Sequence, residues 1–119
     1  MDKAKIEKLL SGMKGGVSGY PFGPEALVFK VMGKMYGLVS QKEETPRVTL
    51  KVNPADGEVL ISQYESISPG YYMNKKHWIT ISLIGELPMD MIQDISEKSY
   101  ELVVSKLTKK EKEQLRDLS

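Results

Sequence analysis

The sequence predicts an α+β domain in which an antiparallel sheet carries its helices packed on one face, a two-layer sandwich. Three observations point there. Runs of alternating apolar residues are interleaved with runs at helical spacing, so strands and helices share one chain. The strand-like runs at 27–32 (LVFKVM) and 35–40 (MYGLVS) are separated only by Gly33-Lys34, a spacing that joins neighbouring strands antiparallel. Finally, 119 residues with 40% hydrophobic content can bury one core unaided, and residues 1–119 read as a single domain.

Taken in order, Ile6, Leu9, Leu10 and Met13 fall at helical spacing behind Asp2, a candidate cap, and Gly12, Gly15 and Gly16 stop that helix. Gly19-Tyr20-Pro21-Phe22-Gly23-Pro24 mixes fixed and permissive backbone and predicts a shaped loop. The hairpin of 27–32 and 35–40 follows, with Gly at the first central turn position. A third strand at 48–52 alternates strictly, with Val48, Leu50 and Val52 toward the core and Arg47, Thr49 and Lys51 on the other side. Asn53-Pro54 has the form of an N-cap and first helical residue, opening a helix with Leu60, Ile61 and Tyr64 inward that ends near Ser66. Residues 78–83 (WITISL) alternate again, with Trp78, Thr80 and Ser82 outward. Gly85 and Pro88 then lead into a long helix whose face holds Ile92, Ile95, Ser99, Leu102 and Val103, where the small Ser99 permits close approach to the sheet. Thr108-Lys109-Lys110-Glu111 has the capping-box pattern of a last charged helix that runs to about Leu118. The far face of the sheet is expected to be at least partly open to solvent.

Composition narrows function by exclusion. The absence of Cys removes disulfides, thiolate metal sites and a Cys nucleophile, and suits a reducing compartment, so the cytoplasm is expected. The start MDKAKIEKLL lacks the apolar run of a signal peptide, and no stretch approaches the length of a membrane span. Formal net charge is only +1, but charge is segregated: Lys30, Lys34, Lys42, Arg47 and Lys51 precede an acidic segment with Glu86, Asp90, Asp94, Glu97 and Glu101.

The densest polar and aromatic segment is Pro69-Gly70-Tyr71-Tyr72-Met73-Asn74-Lys75-Lys76-His77-Trp78, which holds the single His and single Trp. Adjacent lysines form a compact positive point, Asn74 can donate and accept hydrogen bonds, and aromatic rings can stack on bases. Alternatively, Tyr71, Tyr72 and Trp78 pack into the core and Asn74 ties the loop to its own backbone. Lys30, Lys51 and Arg47, with Thr49, Trp78 and Thr80, could share the far face of the sheet, as a basic platform or as ordinary solvated positions. One His, with no Cys and no Ser or carboxylate at a diagnostic spacing, gives neither a catalytic constellation nor a multi-His metal site, and no phosphate-cradling glycine motif is present. The reading is therefore of a binding module with no catalytic residues, metal or cofactor. Asp90, Asp94, Glu97 and Glu101 line one helix face, a solvated surface or a weak site for hard cations.

Three stretches together resemble the MmcQ/YjbR family of small bacterial proteins: Tyr20-Pro21-Phe22-Gly23-Pro24 with Val28-Phe29-Lys30-Val31 and Gly33-Lys34-Met35-Tyr36; residues 69–78; and Ser99-Tyr100-Glu101-Leu102-Val103-Val104-Ser105-Lys106-Leu107. The resemblance implies a frataxin-like (CyaY-like) fold and a DNA-binding role in which hairpins and the basic loop meet the duplex, carried here by Lys30, Lys34, Asn74, Lys75, Lys76, His77 and Trp78. This chain departs from the family pattern at Val52-Asn53-Pro54, and at Tyr72, where His is common in the family; the second departure weakens metal or acid–base chemistry in the loop.

The first expectation is thus a monomeric binder of double-stranded DNA with low sequence specificity. The alternative is a protein-interaction or small-ligand module built on Tyr71, Tyr72 and Trp78. A third reading, a divalent-cation carrier using the acidic helix, follows only by analogy of fold.

Overall fold

The interleaving is present in the computed structural model, which describes residues 2–70 and 74–118. Helix α1 (Asp2–Ser11) precedes β1 (Gly16–Gly19), β2 (Ala26–Val31), β3 (Lys34–Ser40) and β4 (Arg47–Lys51); α2 (Pro54–Gln63), β5 (Ile67–Pro69), β6 (Trp78–Ser82), α3 (Met89–Ser105) and α4 (Lys109–Arg116) follow. One antiparallel sheet of order β1-β2-β3-β4-β6-β5 results. Its two edge strands, β1 and β5, were not expected. Both are short, and Pro69, which lacks an N–H donor, suits an edge position. The cap expected at Asp2 concerns a side chain outside those described.

Local signals at helix ends are realised as hydrogen bonds. Asn53 Oδ1 accepts from the Ala55 N–H at 3.0 Å, and Thr108 and Glu111 form the reciprocal capping box.

The β2–β3 turn lies one residue earlier than the sequence suggests. Val31 pairs with Lys34, so Met32 and Gly33 are the central residues, with φ of 50° and 80°. Positive φ at both positions gives the type I′ turn, whose twist matches that of the strands. No atom lies within 4 Å of a Cβ built on Gly33, so Gly33→Ala isolates the backbone penalty. It is expected to cost about 1–2 kcal/mol in a urea unfolding titration, and an unchanged midpoint would refute the turn assignment.

Next to this turn the ladder slips. Phe29 faces Gly37 while Lys30 faces Met35, leaving Tyr36 without an opposite residue, a bulge that turns its ring toward the helices. The helix-facing rows run Phe29, Gly37, Leu50, Ile79 and Leu27, Val39, Val48, Ile81, Ile67. Ile6 and Leu10 of α1, Ile92, Ile95 and Val103 of α3, and Leu115 of α4 close over them. Gly37 is where α1 seats: a Cβ there would stand 3.3 Å from Leu10 Cδ1.

Ser99 realises the expected close approach of α3. It accepts from the Lys51 N–H at 2.8 Å and donates to the Tyr36 carbonyl at 2.7 Å, stitching the helix to the bulge and to the end of β4. Ser99→Ala strands two buried backbone groups and is expected to cost about 2–4 kcal/mol, read as a lower denaturant midpoint at constant m-value.

The far face differs from expectation. Val28, Leu38, Ser40, Thr49, Trp78 and Thr80 are all buried there, and Val28, Leu38 and Trp78 stand outside the contiguous core. Thr49 and Thr80 satisfy each other across β4 and β6, with their hydroxyls 3.0 Å apart. Lys30, Arg47 and Lys51 reach solvent at the margins of this face, as does Val17 of the edge strand, opposite Lys30.

Candidate nucleic-acid interface

Strand register sorts the charges by end. The β2–β3 turn, the close of β4 and the start of β6 lie together, because Val31 pairs with Lys34 and Lys51 with Trp78. Lys30, Lys34, Lys51 and the segment Asn74–His77 gather there, joined by Lys106 at the C-cap of α3, which shares a recess with Lys34, Lys51 and Trp78. At the opposite end stand Glu25, Glu43, Glu44, Glu65 and Glu86, against Lys42 and Arg47. Arg47 is paired with Glu43 at 3.1 Å. The sheet is a charge dipole along its strands, which a net charge of +1 conceals.

The loop before β6 is anchored by backbone. The Val52 N–H donates to the His77 carbonyl and the Gly70 N–H to the Trp78 carbonyl, both at 2.8 Å. Asn74 shapes it: its Oδ1 accepts from the Lys76 N–H at 2.9 Å, and its carbonyl accepts from the His77 N–H at 3.1 Å. Asn74 is thus a loop organiser, with Lys75 and Lys76 exposed and His77 half-buried. Tyr71 and Tyr72, expected to contribute a contact surface, lie outside the described residues.

Trp78 is placed differently from the sequence reading. It shares a face with Lys30 and Lys51, as the alternation implies, but only 8% of it is exposed, so it offers no free ring for a base to stack on. Its role is to hold Lys51, whose Nζ stands 5.7 Å from the ring centroid. Lys34 pairs with the core residue Val31 and projects to the helix side, away from Lys30. There it acts on Glu111, whose carboxyl is held below its usual range mainly by the Thr108 N–H and also by Lys34.

On α3, Asp90, Asp94, Glu97 and Glu101 are exposed, and Asp94 is paired with Lys98 at 3.3 Å. Among the described residues no group of three or more His, Cys, Asp or Glu could hold a metal ion. Between α2 and α3 runs a groove of about 640 Å³ of mixed charge, which carries Asp56, Asp94 and Glu101 beside Lys51 and Lys98. No described helix is long and apolar enough to cross a membrane.

Sequence reasoning missed Lys106. Its approach to Lys34 and Lys51 depends on where α3 ends against the hairpin, and no local pattern encodes that.

The YjbR family model matches residues 11–102, from the end of α1 through most of α3. YbdF of Escherichia coli O157:H7 is 39% identical over 97 residues, covering 82% of this chain and 80% of that protein. YjbR of Escherichia coli K12 is 32% identical over 91 residues, covering 76% and 77%. Among solved structures, a Deinococcus radiodurans protein of the DUF419 domain superposes with a TM-score of 0.86 at 35% identity, over 94% of this chain and 86% of that one. A Pseudomonas syringae protein superposes with a TM-score of 0.74 at 26% identity, over 86% and 98%.

Proposed function

The chain belongs to the YjbR family, and we propose that it is a binding module for double-stranded DNA of low sequence specificity, engaging the phosphate backbone with the basic end of its sheet. One observation carries this reading: lysines from the β2–β3 hairpin, the end of β4 and the loop before β6 converge on one end, while Glu25, Glu43, Glu44, Glu65 and Glu86 collect at the other. Lys30, Lys51, Lys75 and Lys76 are the phosphate contacts, with Lys34 at the hairpin tip; Asn74 and His77 position the loop, and Trp78 braces Lys51. With the Trp78 ring buried and not free to read a base, affinity on this reading rests on charge, so sequence preference is weak and salt dependence steep. No catalytic step is assigned.

Fluorescence anisotropy of a labelled random duplex across a salt series tests this. The expected result is saturable binding with Kd on the order of 10⁻⁴ to 10⁻⁶ M, weakening linearly in log K against log salt. Absence of binding at low salt would refute it.

A protein-interaction role has its own support. Val17, Tyr20 and Phe22 are 67%, 54% and 69% exposed beside the edge strand β1, an apolar border on which an extended segment of another protein could pair. Binding to a protein partner that survives high salt would favour that reading.

A further inference from the structure

We propose that the recess between the β2–β3 turn and the last turn of α3 is a seat for a single phosphomonoester group. The inference rests on reading this end of the sheet as anion-binding, and it names the anion.

The recess, of about 260 Å³, is lined by Gly33, Lys34, Met35, Lys51, Trp78, Val103 and Lys106. Its three lysines come from three separate elements, and no carboxylate lines it. The ion pairs of 4.0 Å or less among the described residues are Arg47 with Glu43 and Lys98 with Asp94, so none of Lys34, Lys51 and Lys106 has a carboxylate of the described residues in contact. Glu111, the acid that acts on Lys34, spends Oε1 on the Thr108 N–H at 2.9 Å in the α4 capping box. The carbonyls of Val103 and Val104, which give the C-terminal end of α3 its partial negative charge, accept the Lys106 N–H and so oppose an anion little.

Three cations held around one recess repel one another until a multivalent anion enters. A phosphomonoester carries a charge of about −1.5 to −2 at neutral pH and three terminal oxygens, one for each ammonium, whereas a backbone diester has a single charge and two free oxygens. Lys51 is already fixed over Trp78, so little ordering is needed on binding. Met35, Val103 and the edge of Trp78 form an apolar wall for the carbon skeleton that bears the phosphate. Two sources share this chemistry: a small free phosphomonoester, or the terminal phosphate of a nucleic-acid strand.

Trp78, the single tryptophan of the chain, borders the recess and reports on it. Its fluorescence is titrated with inorganic phosphate at constant ionic strength set by chloride, then with a short oligonucleotide bearing either a 5′ phosphate or a 5′ hydroxyl. A saturable change with phosphate, weakened roughly tenfold by Lys106→Gln and again by lowering the pH through the second phosphate ionisation near 6, is expected. A change with the 5′-phosphorylated strand and none with the hydroxyl strand identifies the strand end as the source; a change with inorganic phosphate and with neither strand identifies a small molecule. If phosphate does no more than an equal ionic strength of chloride, the seat does not exist. Covalently closed circular duplex, which has no ends, separates the two ideas: if it binds while phosphate leaves Trp78 unmoved, the seat falls and backbone binding stands.

Discussion

Replacing Tyr36 with alanine is expected to cost about 3–5 kcal/mol, a large fraction of the stability of a domain of this size. The ring is fully buried, 5.3 Å from Tyr100 in an edge-to-face pair and 6.4 Å from Phe29. Its hydroxyl donates to the Leu10 carbonyl at the end of α1, and its own carbonyl accepts from Ser99 of α3. One bulged residue therefore ties two helices to the sheet, and truncating it opens a cavity at their junction. Tyr36→Phe removes only the hydroxyl and is expected to cost about 1–2 kcal/mol in the same urea titration. Equal losses for the two variants would show that the ring contributes nothing.

The same side chain makes an alkaline prediction. Burial, reinforced by Tyr100, pushes the Tyr36 hydroxyl up from 10 to about 12. Above pH 10 the unfolded chain releases this proton while the folded chain keeps it, so the unfolded state binds fewer protons and stability falls as pH rises. The contribution is intact below pH 10 and shrinks as the pH rises through about 12, a loss of about 3 kcal/mol in all once the folded group has also ionised. Tyr100, also raised by burial, adds a loss of the same sign. In Tyr36→Phe the decline should be mostly gone. A wild-type slope in that variant would assign the titration to another group.

What the sequence disclosed was what short-range chemistry controls. The Asn53-Pro54 start, the Thr108 capping box and the alternation of β4 and β6 each lie within a few residues, and each formed as read. The edges were hidden because four-residue β1 and three-residue β5 take their hydrogen bonds from distant neighbours. Centring the hairpin on Gly33-Lys34 placed Lys34 in the turn; with Met32 accepting positive φ, Lys34 is the first residue of the ladder and shares the core face with Val31. A one-residue shift thus decides which side of the sheet a candidate lysine serves. Trp78 shows the other limit: alternation gave its face, but burial on that face depends on what surrounds it. Likewise, the charge segregation visible along the chain became an end-to-end dipole only through antiparallel register, which returns Lys51 to the side of the β2–β3 turn.

That dipole is what the strongest binding prediction separates from net charge. Lys75→Gln/Lys76→Gln takes the formal charge from +1 to −1 by removing two cations at the basic end, and Lys42→Gln/Arg47→Gln makes the same change at the acidic end. Any effect of overall charge on DNA binding is common to both variants. Each lost phosphate contact removes about 0.9 from the slope of log K against log salt, so the first variant should lose about 1.8 and bind roughly 60-fold more weakly at about 0.1 M salt, extrapolating from about 1 M. The second variant should keep the wild-type slope, because Arg47 is already compensated by Glu43 and neither residue stands near the hairpin tip. The loop is anchored through the backbone of Gly70, Val52 and His77, and circular dichroism of both variants checks that the fold is kept. If both variants flatten the slope equally, binding is a diffuse response to charge and the basic end is not an interface. If only the first does, the antiparallel register that collects these lysines at one end of the sheet is also what makes it bind.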